Sequence, residues 1–134
     1  DFVEVCKAII DGTLARLKIE FEPKATVCKY VVPRGYGLPA DHPDAASSKA
    51  KIEVVDVGKA RLYYSSVDQK EDGLYLSSSR AIGIVGIADT LDAARKIAEE
   101  GVRAVKGPVA FREDIGTNAL IQKRIEHMRK IRES

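Results

Sequence analysis

The chain has 134 residues, 45% hydrophobic and 31% charged, with 22 Lys and Arg against 20 Asp and Glu for a formal net charge of +2. That length suits one domain with a sizeable core, and the balance excludes wholesale disorder and a nucleic-acid surface built from bulk charge. No apolar run approaches membrane-spanning length and no signal-peptide pattern opens the chain. Cys6 and Cys28 lack metal or redox spacing, so the expectation is a reduced, cytoplasmic protein with no membrane contact.

The opening residues read directly into a helix: Phe2, Val3, Cys6, Ile9 and Ile10 recur at helical spacing, with no capping approach before them. Asp11-Gly12 ends it, glycine supplying the left-handed terminal position. Asp1 is not an initiator methionine, and the expectation is a piece of a longer polypeptide whose first helix lacks part of its partner. A turn through Leu14 and Leu17 follows, then a brief extended piece over Ile19 to Phe21. Lys24 to Val32 reads as a strand closed by Pro33. From Arg34 to Ser48, prolines and small residues predict a long loop without regular structure. His42 lies there between Asp41 and Asp44, but this is no recognised ligand spacing and no metal site is assigned.

Further strands are predicted at Lys51 to Val57, Arg61 to Val67 and Gly73 to Ser77, with turns at Gly58-Lys59 and Asp68 to Asp72. Tyr63, Tyr64 and Tyr75 suit strand surfaces and read as half-buried packing rather than a base-stacking platform. The stretch Leu74 to Ala94 is the centre of the pattern. It reads as two strands joined by a tight turn of Ser77, Ser78, Ser79 and Arg80. Gly83 and Gly86, three apart, face opposite sides of the second strand, so each face is a candidate for close packing or ligand contact. Asp89 and Thr90 offer capping oxygens to a helix carrying Leu91, Ala94, Ile97, Ala98, Val102 and Val105 on one face, stopped by Gly107-Pro108. A short strand at Val109 to Phe111 and a polar corner at Arg112 to Gly116 come next. Thr117 then caps a last helix with a buried stripe of Ile121, Ile125, Met128 and Ile131.

A guanidinium beside three hydroxyls suits a phosphate or carboxylate, so Arg80, Ser79 and Ser78 are the candidate binding residues; a solvated hairpin tip is the other reading. No phosphate-binding, dinucleotide, zinc-protease or nucleophile-elbow motif is present. The serines have no nearby histidine base, and no carboxylate pair is placed for acid–base work. No catalytic residue and no metal ligand is assigned.

The Asp1-Phe2-Val3-Glu4 helix with Gly12, the Ala25 to Val32 strand leading to Gly35-Tyr36, Arg80 before Gly83, Asp89-Thr90-Leu91 with Ala94, and the Arg112 to Gly116 corner together resemble one family. It is the C-terminal part of the phosphoribosylamine–glycine ligases (glycinamide ribonucleotide synthetases), ATP-grasp enzymes of purine synthesis. The order and spacing cover nearly the whole chain, with departures at Tyr63-Tyr64-Ser65-Ser66, Ser78-Ser79 and Gly37. The resemblance implies an α+β domain: a small, mostly antiparallel sheet or partial barrel flanked by helices, of rudiment single-hybrid type. Residues 24–134 would form it, and 1–23 would be a linking helix from the upstream ATP-grasp domain. It implies a complete enzyme that joins glycine to 5-phosphoribosylamine through a glycyl phosphate, with ATP and Mg²⁺ held upstream and no cofactor in this piece. Its partners would be the upstream domains and those two substrates, with no nucleic acid. This chain would line the substrate site, Arg80 with Ser78 and Ser79 holding the ribose phosphate, and would be inactive alone. Two other readings remain open: a free-standing module for a phosphorylated metabolite or a protein, and a nucleic-acid-binding domain using the basic last helix.

Overall fold

A computed structural model describes residues 1–133. Helix α1 spans Phe2–Ile10, and the Asp1 carboxylate accepts a hydrogen bond from the Val3 N–H at 2.9 Å. The helix is therefore capped, contrary to the sequence reading, because Asp at the preceding position is itself a capping residue. Gly12 takes φ +66° at the other end, and a single 3-10 turn follows at Leu14–Arg16. Residues 19–21 pair with nothing as a strand, and Phe21 stays 90% exposed.

Strand β1, Ala25–Pro33, buries Val27, Lys29, Val31 and Pro33 and turns Thr26, Cys28 and Tyr30 outward. Pro33 ends the strand from within it: it pairs with Val109 as the last residue of β1, where a missing N–H is tolerated. The predicted loop after it contains a 3-10 turn at Pro43–Ser47 and is folded onto itself: the Gly35 N–H donates to Ser47 Oγ at 2.8 Å. A side chain at Gly35 would overlap the Asp44 carbonyl.

The remaining strands are β2 (Lys51–Val54), β3 (Arg61–Tyr64), β4 (Val67–Lys70), β5 (Gly73–Leu76), β6 (Ile82–Ala88), β7 (Val105–Lys106) and β8 (Val109–Ala110). They make two four-stranded antiparallel sheets, ordered β3-β6-β1-β8 and β4-β5-β2-β7. The expected strand at 61–67 is thus two strands in different sheets, and Asp68 to Lys70, read as a turn, form an exposed edge. Polar residues on a solvated edge strand leave no alternation to detect.

The segment 77–80 is not a hairpin turn. β5 and β6 lie in different sheets, and the ribbon 61–88 reverses instead between Lys70 and Gly73. Halfway along, both of its strands bend together. Ser65 N–H donates to the Ala81 carbonyl at 2.9 Å and Ser66 N–H to the Arg80 carbonyl at 3.1 Å, while Ser77 Oγ donates to Ser66. The extra residues 77–79 act as a bulge at the corner where the ribbon passes from one sheet to the other, the usual device for such a bend.

Helix α2, Leu91–Arg103, is capped by Thr90, whose Oγ1 accepts from Ala93 N–H at 3.3 Å. It lies across β6 and β1 on Ala94, Ala98, Gly101 and Val102. The approach is close enough that a Cβ at Gly86 would overlap the Ala94 carbonyl oxygen. Val105 is not on this helix but in β7, pairing with Val54. The core joins both sheets through Val31, Ile52, Leu76, Ile82, Ile84, Val102 and Val105. Helix α3, Asn118–Glu133, is capped by Thr117, which accepts from Leu120 N–H at 3.3 Å. None of its residues is buried, and Ile125, Met128 and Ile131 are exposed. The expected buried stripe is therefore absent: an amphipathic pattern marks a face suited to burial without supplying an element to cover it.

Candidate functional site

The bulge aims Arg80 at a groove of about 490 Å³ on the outward face of the first sheet, lined in part by Cys28, Tyr30, Tyr36, Phe111 and Arg112. The register explains the arrangement. Tyr30 stands opposite Gly83, as does Tyr63 on the far side, so one outward row runs Tyr30, Gly83, Tyr63. The Tyr30 ring leans over the glycine, and the Arg80 guanidinium carbon lies 5.4 Å from that ring's centroid. Gly83 and Gly86 do face opposite ways, as their spacing predicts: Gly86 receives α2 and Gly83 receives Tyr30.

Three cations reach this groove, and two are committed. Arg112 is held by Asp114 in a forked pair, Nε to Oδ1 at 3.0 Å and the terminal nitrogen to Oδ2 at 2.6 Å. That hydrogen-bonded pair raises the Arg112 pKa and holds the Asp114 carboxyl below its ordinary value. Lys29 is fully buried. Its Nζ donates to the carbonyl of Glu113 at 3.0 Å, lies 3.4 Å from that of Arg112 and sits 3.7 Å from Glu99. Arg80 is exposed, as Arg112 is, but unlike the other two it has, among the described residues, no carboxylate at ion-pair distance. Such a guanidinium keeps its donors available to an anion. Cys28 lies on the same face, but burial pushes its thiol pKa up and disfavours the nucleophilic thiolate.

The sequence-predicted trio is only partly assembled. Ser78 lines a neighbouring groove of about 530 Å³ beneath the 33–48 loop, and Tyr36 borders both grooves. Ser79 lines neither, and its backbone N–H is already given to Ser77 Oγ at 3.2 Å. The sequence reading missed Tyr30, Tyr36 and Arg112 as groove residues. Alternation along β1 was the available signal for Tyr30, since Val27 and Val31 facing inward put it outside. His42, set aside as a ligand, instead uses Nδ1 to accept from the Asp44 N–H at 3.2 Å. Among the described residues there is no group of three or more His, Cys, Asp or Glu that could hold a metal ion. No helix among them is long and apolar enough to cross a membrane.

Fold and groove together define a two-sheet α+β domain with an aromatic-lined groove bordered by Arg80. Residues 26–118 match the family described as phosphoribosylglycinamide synthetase, C domain, and the chain belongs to that family. It is 48% identical over 132 residues to a phosphoribosylamine–glycine ligase of Methanosarcina barkeri, 49% over 132 to one of Methanocella arvoryzae, and 46% over 133 to one of Methanocaldococcus jannaschii. Each match covers 98% of this chain, and the chain spans 29% of each relative's length.

Proposed function

We propose that this chain works as the C-terminal domain of a cytoplasmic phosphoribosylamine–glycine ligase, joining glycine to 5-phosphoribosylamine with ATP in purine synthesis. In this reading residues 24–134 are the domain proper and 1–23 link it to the ATP-grasp part, which handles ATP and Mg²⁺. The exposed apolar residues of α1, among them Phe2 and Ile10 at 79% and 83%, are then the surface that meets that part. The domain supplies a wall of the substrate site. Arg80 holds the ribose phosphate by charge-assisted hydrogen bonds, and Ser78, which lines the adjoining groove, is the serine placed to add a hydroxyl donor, with Ser79 able to do so only by moving toward it. Such an anchor acts by orientation, spending binding energy remote from the reacting amine. The observation that carries the reading is an exposed guanidinium at a groove mouth with no carboxylate to neutralise it.

In the complete ligase, Arg80→Ala should raise KM for 5-phosphoribosylamine at least about tenfold, the scale of one lost charge-assisted contact. Unchanged kinetics would remove Arg80 from the site. The isolated chain should neither hydrolyse ATP nor form glycinamide ribonucleotide, and turnover by pure material would overturn the assignment of catalysis to the upstream part.

A further inference from the structure

We propose that Tyr30 is the positioning residue for Arg80: its ring holds the guanidinium at the mouth of the groove. This rests on the reading of Arg80 as the phosphate anchor. A long exposed arginine surrenders considerable rotamer freedom when a ligand fixes it, so an efficient anchor needs something to hold it beforehand. A carboxylate would hold Arg80 but would also neutralise it and compete with the incoming anion. An aromatic face attracts the cation without taking any of its N–H donors. The Tyr30 ring stands in that relation to Arg80, 5.4 Å from centroid to guanidinium carbon.

The ring is itself held. Tyr30 lies directly opposite Gly83 in the β1–β6 register, and a Cβ built on Gly83 would sit 3.5 Å from Tyr30 Cε1. The ring thus lies over the glycine with room for a methyl at ordinary van der Waals distance. A larger residue there would lift it away from Arg80.

The test uses the complete ligase with Tyr30→Phe, Tyr30→Leu, Arg80→Ala and the Tyr30→Leu/Arg80→Ala double variant. Tyr30→Phe keeps the π face and should leave KM for 5-phosphoribosylamine unchanged. Tyr30→Leu should raise it about three- to fivefold, the scale of an exposed cation–π contact, with kcat and KM for glycine unmoved. In the Arg80→Ala background, Tyr30→Leu should add nothing. Should leucine unsettle the strand, Tyr30→Met, which still covers Gly83, is measured in its place. A full Tyr30→Leu effect without Arg80 would show that Tyr30 touches substrate itself and would overturn the positioning role. Wild-type KM in Tyr30→Leu, with Arg80→Ala raised tenfold, would overturn that role and leave the anchor standing. No effect of Arg80→Ala would remove the anchor first.

Discussion

Lys29 and Glu99 form a pair in which the two partners are unequally dependent on one another. The Lys29 side chain has no exposure and Glu99 is the carboxylate within 4 Å of it among the described residues, whereas Glu99 is 20% exposed. Glu99 also meets the Arg95 guanidinium at 2.5 Å and that of Arg103 at 4.0 Å. Glu99→Gln therefore leaves a buried ammonium with two carbonyls and, among the described residues, no carboxylate within 4 Å, a defect costing about 3–5 kcal/mol. Lys29→Met removes the ion that was expensive to desolvate, keeps most of the side-chain volume and leaves Glu99 with two cations. Its cost is the hydrogen bonding to Arg112 and Glu113, both in an exposed segment that water can reach, or about 1–2 kcal/mol. The carboxylate change should thus destabilise by about 2 kcal/mol more than the lysine change. Urea unfolding at pH 7, followed by circular dichroism, reads the difference as a shift of midpoint at constant slope. If Lys29→Met costs as much as Glu99→Gln or more, the idea that Glu99 exists to neutralise Lys29 is wrong.

The two strand glycines should separate in the same assay. Gly86→Ala sets a methyl against backbone of α2, 2.7 Å from Ala98 N, and should cost about 2–3 kcal/mol; Gly83→Ala meets Tyr30 at ordinary contact and should cost under about 1 kcal/mol. Equal losses would mean that α2 does not approach the sheet as described. Acid should act through Asp72, Asp89, Asp92 and Asp114, whose carboxyls are held low by Tyr75 and Lys51, by Lys24, by Lys96 and Arg95, and by Arg112. Their folded pKa values lie below the unfolded ones, so their contribution is complete above about pH 4 and is lost as pH falls through the lowered values. Converting all four to Asn should flatten the acid limb of the stability curve; an identical limb would count against these pairs. Ending the chain after Thr117 should leave the unfolding free energy from urea titration at pH 7 within about 0.5 kcal/mol of the full chain, because no described residue of α3 is buried. A larger loss would show that α3 belongs to the cooperative unit.

Much of this architecture was legible because its signals are local. Asp11-Gly12 and Thr90 mark helix ends through their own backbone and hydroxyl chemistry. The period-2 run of β1 and the opposed glycines of β6 report on faces within a single strand. The serine-rich bend was recognised as a break in an apolar run but misread as a hairpin turn. Whether such a break reverses the chain or passes it to another sheet depends on which strands pair, and that information lies in distant residues. The groove was half legible: Arg80 stood out by charge, while Tyr30, Tyr36 and Arg112 join it only once residues far apart in sequence are brought together.

By itself, the order of residues determined the α+β composition, the caps of α2 and α3, the outward placement of Arg80 and the family. Only the tertiary structure decided that β5 and β6 belong to different sheets, that Lys29 is sealed beside Glu99, and that no described residue of α3 is buried. The division follows from range. Caps and periodicity are energies between near neighbours, whereas pairing partners, burial of a charge and coverage of a face depend on contacts across dozens of residues.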